Sequence, residues 1–180
     1  MLGMAMNREK VLQIIKTARS NNETPDLRRM DLSTVDLSGT DLSKVNLQYA
    51  KLTNANLSKA NLTGANLTGA DLSKADLSNS KMQGTEVLGG KLTEANLQNA
   101  NLLEANLRNA DLSSANLQQA KLVESILRGA GLVVADLLEG RLAGATLIRA
   151  DLRGAKVTAE QLSQAKSLKG AIMPDGTRHD

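Results

Sequence analysis

The stretch ANLSKANLTGANLTGADLSKADLS, residues 55–78, repeats one five-residue word: a small residue, Asp or Asn, Leu, then two polar positions. Taking Leu as the centre, the word runs unbroken from Leu27 to Val157, 27 words without an insertion. Only Met82, Val87 and Val157 replace Leu at the centre. The residue before the centre is Asp or Asn in most words, with Lys or Arg the commonest replacement.

A helix cannot use this spacing, because five residues at about 100° each would smear the Leu side chains around the cylinder. A continuous strand fails too, since an odd period turns every second Leu to the opposite face. Short extended pieces with a corner in each word satisfy the pattern. The small residue and Leu are two apart and share a face, and a turn absorbs the odd residue. Gly at 39, 64, 69, 84, 89, 129, 144 and 154, and Asn at 54, 79, 99 and 109, stand at that corner. These are the residues that best tolerate positive φ. Corners in every word make a coil, and coils stack in parallel register at roughly 4.8 Å. The column 31, 51, 71, 91, 111, 131, 151 reads Asp, Lys, Asp, Lys, Asp, Gly, Asp. That alternation suits neighbours one coil apart and supports four words per coil.

The word A-[DN]-L-x-x, as in Ala60-Asn61-Leu62-Thr63-Gly64, resembles the pentapeptide repeat proteins. The resemblance covers residues 25–157, and the ending QAKSLKGAIMPDGT is similar to the tails of cyanobacterial members. It implies an all-β solenoid, a right-handed quadrilateral parallel β-helix of four words per coil and about seven coils. Departures lie at SKMQGTEVLGGKLTE, residues 80–94, where Ser, Thr and Gly replace the inward Ala. Pro25, Met30, Val35, Thr40 and Val45 stand at the same inward position in the early words, which implies a wider or looser first coil.

The ends of such a rod expose apolar interior and unpaired backbone. Residues 1–24 are expected to supply an N-terminal helical cap. NREKVLQIIKTAR, residues 7–19, has Asn7 as N-cap and Val11, Leu12, Ile14, Ile15 and Ala18 on its apolar face. Arg8, Lys10, Lys16 and Arg19 leave a membrane-surface helix open as the alternative. Residues 158–180 are expected to form a C-terminal cap and tail. Thr158-x-x-Gln161 fits a capping box with Leu162 and Ala165 turned inward, Leu168 and Ile172 fold over the last coil, and MPDGTRHD is a turn with a frayed tail.

Composition agrees with a narrow coil: no Phe, no Trp and one Tyr, with Ala and Leu carrying most of the apolar content. There is no Cys, hence no thiol or disulfide chemistry. The opening MLGMAM is too short for a signal-peptide apolar region, so a cytoplasmic protein is expected. The lone His179 lies in the expected tail, and no nucleotide, zinc-protease or nucleophile-elbow motif occurs. The expectation is therefore no catalytic residue, no cofactor, no metal and no enzyme.

Some family members act on DNA gyrase by resembling duplex DNA, which carries one negative charge per about 1.7 Å. Here residues 1–24 hold four bases and two acids and residues 165–180 three bases and two acids, which leaves no net charge between them. With aliphatic centres and no loops between coils, a gyrase-directed DNA mimic is disfavoured. Without a basic stripe or aromatic platform, direct nucleic-acid binding is not expected either. A structural or protein-interaction module remains, with no membrane partner. The position after the centre is polar in the first half (Ser33, Ser38, Ser43, Gln48, Thr53, Ser58). It turns apolar later, at Leu103, Val123, Val133, Leu138 and Ile148, joined by Val134. These six residues form the candidate contact patch, for a protein partner or for self-association as a homodimer.

Overall fold

Each word has five backbone N–H groups, and the fold follows from where they go. In the word Ala70–Lys74, Ala70 N–H closes the corner on Leu67 O (2.9 Å) and Asp71 N–H donates to Ala50 O (3.0 Å) in the preceding coil. Leu72 and Lys74 donate to Lys91 O (2.7 Å) and Thr93 O (2.9 Å) in the next. Ser73 N–H is the remaining donor, and the Asp71 carboxylate accepts it at 3.0 Å. No backbone donor is left over, as a backbone folded around an apolar interior demands.

That last bond gives the Asp or Asn of the word its purpose. All 17 words with Asp or Asn before the centre make it, closing an Asx turn at the corner. The Asp–Lys alternation is a lesser effect: Lys51 stands 3.9 Å from Asp31, both exposed, where an ion pair contributes little.

The computed structural model describes residues 6–180. All but Met6 of MLGMAM lies outside the described residues. Every parallel bridge from Asp26–Asn46 to Asp136–Lys156 joins residues twenty apart, so four words make one coil. All 26 corner residues from Arg29 to Gly154 have positive φ, whether glycine or not. The centres from Leu27 to Leu152 are buried, and the small inward residues stack beside them. Words centred on Leu27, Leu32, Leu37 and Leu42 start the first, second, third and fourth faces of the rod.

The departures at 80–94 stay in register. Met82 and Val87 are fully buried, and the Thr85 hydroxyl donates to Leu62 O at 3.1 Å. Ser80 Oγ is buried with no partner among the described residues.

Helix α1 (Arg8–Ser20) lies against the first coil, with Asn7 as its N-cap accepting from Lys10 N–H at 3.0 Å. Val11 and Ile15 join the rod's core, Ile14 packs partly against it, and Leu12 turns outward at 38% exposure. Of the larger inward residues of the first words, Val35 and Val45 join the same core cluster and Met30 packs partly buried against it. The first coil has no preceding coil to donate to its carbonyls, and two arginines of α1 supply that role. Arg8 donates to Asp36 O (3.2 Å) and Ser38 O (3.0 Å). Arg19 donates to Asp41 O (3.3 Å) and Ser43 O (3.1 Å), and pairs with the Asp41 carboxylate at 2.8 Å. Two of the four cations that left a membrane-surface helix open are thus directed into the fold.

At the other end, Thr158 N-caps α2 (Ala159–Ser163) in a reciprocal capping box with Gln161. The Gln161 amide also reaches back to Leu137 O (2.7 Å) and Gly140 O (2.8 Å), carbonyls of the last full coil. One residue is inserted here, and pairing resumes twenty-one apart at Thr146–Ser167 and Asp151–Ile172. The tail corrects an expectation. Residues 173–180 are not frayed: Asp175 closes a turn on Thr177, and Arg178 pairs antiparallel with Ile172. Gly170 N–H donates to His179 O (2.7 Å) and His179 N–H to Ala171 O (2.8 Å). An otherwise open ladder edge takes up the returning strand.

Candidate interaction surface

Residues after the centre stand on the flat faces of the rod, and residues two after it stand at the corners. Leu103, Val123 and Ala143 form one column on the fourth face, tied through Glu104 N–H to Val123 O (3.0 Å) and Glu124 N–H to Ala143 O (3.0 Å). All three are half-buried by their coil neighbours. Val133 and Val134 belong to the second face, two corners away on the opposite side. Leu138 lies on the third face and Ile148 on the first. The coil thus brings Leu103 and Val123 together and distributes the other four residues around the rod. Val134 and Leu138 are the most exposed of the six, at 55% and 39%.

The reason for this dispersal is arithmetic. Residues share a face only when they are twenty apart, and the later apolar positions are separated by five or ten. Leu88, 40% exposed on the first face, belongs to the same class and was not among the six.

Corner side chains lean along the rod onto the corner of the next coil. Two such pairs bond, Gln119 to Glu139 (2.7 Å) and Lys74 to Glu94 (3.7 Å). Where the next corner is glycine, the side chain covers it: Tyr49 lies over Gly69, Asn109 over Gly129 and Glu124 over Gly144.

Two surface clefts follow from these columns, neither of them anticipated. Asp26, Arg28, Arg29, Gln48 and Tyr49 line one of about 540 Å³ near α1. There the Arg28 guanidinium grips the Asp26 carboxylate at 2.7 Å, which holds that carboxyl down at about 2. Arg108, Asn109, Arg128, Gly129 and Arg149 line the other, of about 380 Å³. The signal for both was in the sequence, since the first face holds five Arg against two acids, Asp26 and Glu86, in its words from residue 25 to 149. Among the described residues no group of His, Asp and Glu is arranged to hold a metal ion. No helix among them is long and apolar enough to cross a membrane.

The chain is similar to several solved structures. HetL, a pentapeptide repeat protein involved in heterocyst differentiation regulation from the cyanobacterium Nostoc sp. strain PCC 7120, is 26% identical over 97% of this chain and 100% of that one, with a TM-score of 0.37. Rfr23 from the cyanobacterium Cyanothece 51142 is 26% identical over 83% of this chain and 99% of that one, with a TM-score of 0.39. QnrB1, a plasmid-mediated fluoroquinolone resistance protein, is 25% identical over 74% of this chain and 75% of that one, with a TM-score of 0.49. Comparison with curated proteins gives no match. The family model for pentapeptide repeats matches residues 26–58, 46–84 and 91–129 in eight copies. With more than half of its residues matched and the five-residue word closed at every corner, the chain belongs to the pentapeptide repeat family.

Proposed function

We propose that this protein is a non-enzymatic interaction module, a cytoplasmic right-handed quadrilateral β-helix closed by α1 at one end and by α2 with the returning tail at the other. Right-handedness accords with the strong preference of parallel crossovers for that hand. The arginine and glutamine bonds to the terminal carbonyls support closure by these segments, because they occupy acceptors that would otherwise pair with another chain.

One observation carries the interaction reading: the column Leu103–Val123–Ala143 presents apolar side chains on one flat face, over coils tied by Glu104 N–H to Val123 O and Glu124 N–H to Ala143 O. Such a column gains when a second surface covers it, and a second copy can do so isologously. Val133 with Val134, Leu138, and Ile148 stand on three other faces, and each face offers a contact surface for a protein partner. The test is Leu103→Lys with Val123→Lys. The double variant keeps the circular dichroism of the parent, and light scattering shows a dimer moved to monomer. A parent that stays monomeric at high concentration removes the dimer.

A gyrase-directed DNA mimic is opposed by charge. Positive and negative residues alternate along the second face, and the fourth holds Lys44, Lys81, Lys121 and Arg141 against Asp41, Glu104 and Glu124. No inhibition is expected in a supercoiling assay at micromolar protein, and potent inhibition overturns the module reading.

A further inference from the structure

Several charges on this rod are settled from coil to coil. Lys51 lies near Asp31 (3.9 Å), Lys74 near Glu94 (3.7 Å) and Lys156 near Asp136 (3.3 Å), each pair twenty residues apart. The first face departs from this rule after Glu86. Its words centred on Leu107, Leu127 and Leu147 hold Arg108, Arg128 and Arg149 and no Asp or Glu.

Arg108 and Arg128 are stacked directly, since Asn109 N–H donates to Arg128 O at 3.0 Å. Arg149 stands at the corner one coil further on, beyond Gly129, whose N–H donates to Ile148 O at 2.9 Å. Gly129 makes the room between them: it has φ +68°, and a Cβ there would collide with the Asn109 amide. The three arginines, Asn109 and Gly129 enclose the cleft of about 380 Å³.

Two of the neighbouring acids are engaged elsewhere. Asp111, around the corner, accepts from Ser113 N–H (3.0 Å) and the Thr93 hydroxyl (3.1 Å). Asp151 is gripped by Arg153 at 2.6 Å. Arg108 gives one guanidinium N–H to Asn106 (3.2 Å), while the guanidinium groups of Arg128 and Arg149 donate to nothing among the described residues. Three cations rooted within roughly 10 Å, two coil spacings, repel one another inside a Debye length. The fold gains nothing from that arrangement, whereas an anion among them does.

We infer that this corner binds a small polyvalent oxyanion of the phosphate type, such as a phosphate monoester or pyrophosphate. The guanidinium fork matches two oxygens at once, and Asn109 offers a further donor. The reach of three coils, with Glu104 and Glu124 at one flank and Asp111 and Asp151 at the other, suits a ligand seated in the cleft. A long polyanion such as duplex DNA would run onto those carboxylates.

The test is a titration of the full chain with inorganic pyrophosphate, followed through the arginine Nε–H and Gly129 amide resonances. Saturable shifts are expected at Arg128, Arg149 and Gly129. Arg128→Gln with Arg149→Gln weakens binding about tenfold or more, as loss of charge-assisted hydrogen bonds dictates. Lys121→Gln with Arg141→Gln removes the same charge from the fourth face and leaves binding unchanged. Shifts that fail to saturate, or equal weakening by the two pairs, overturn the site. Tighter binding of a DNA duplex than of pyrophosphate at physiological salt, lost with Arg128 and Arg149, overturns the small-anion assignment.

Discussion

The ring of Tyr49 rests on Gly69, twenty residues later, while the guanidinium of Arg29, one coil earlier, stands 6.0 Å from the ring centroid. A Cβ on Gly69 would lie 2.5 Å from Tyr49 Cε1, and Gly69 has φ +65°. Gly69→Ala therefore has two effects: it costs about 1–2 kcal/mol for a side chain in the left-handed region, and it displaces the ring. Tyr49 is the only tyrosine and there is no Trp, so its emission reports one ring. Stronger acrylamide quenching is expected in the variant, and unchanged quenching would show that the ring does not rest there.

The Asx turn predicts that charge before the centre matters less than the acceptor. Asp71→Ala should cost roughly 0.5–1.5 kcal/mol in urea melts, the net contribution of one hydrogen bond. Asp71→Asn, which keeps the acceptor and loses only the contribution of the charge, should cost less than Asp71→Ala. Equal losses would mean that the negative charge was the stabilising feature.

Acid should weaken the rod through the same carboxylates. Hydrogen bonds from Arg28 hold the Asp26 carboxyl at about 2, and those from Ser73 and Ser113 hold Asp71 and Asp111 below the ordinary range. Each folded-state value lies under the unfolded one, so this stability is complete above the unfolded value near pH 4 and is lost as pH falls through the folded values. Asp71→Asn with Asp111→Asn should flatten the decline of the urea midpoint between about pH 4 and 2. An unaltered slope rejects the linkage.

Core and surface should respond very differently. Leu72 and Leu112 are fully buried between coils, and Leu→Ala at either should cost about 2–5 kcal/mol. Ser73, beside Leu72 but half-exposed, gives its hydroxyl to Asp71 at 2.6 Å, so Ser73→Ala should cost no more than that one bond, roughly 0.5–1.5 kcal/mol. Equal effects at Leu72 and Ser73 would reverse the assignment of inside and outside.

Val134 is a β-branched residue at φ +58°, a backbone region such side chains rarely occupy. It is 55% exposed, so little burial is lost on substitution. Val134→Asn should raise stability by about 1 kcal/mol, since Asn tolerates this conformation. An unchanged urea midpoint would show that the corner carries no strain.

Most of the fold was legible in the words alone. A period of five with one small and one large apolar residue two apart dictates inside, outside and corner, because backbone geometry allows few ways to bury both. Four words per coil were readable from the Asp–Lys column, although the structure shows that Asp71 and its equivalents serve chiefly to bind the N–H two residues on. That bond lies within one word, so the clue was local. Other features were settled only by tertiary structure. Arg8 and Arg19 meet the first coil's carbonyls across 22 to 30 positions, and Gln161 meets Gly140 across 21. The tail orders because a ladder edge stands open beside it. The six apolar surface residues scatter over four faces, and Arg108, Arg128 and Arg149 gather at one corner, by the same cause. Periodic positions inherit their surroundings from the word, whereas ends and surface groups acquire neighbours only when the chain has wound and residues twenty apart are brought side by side.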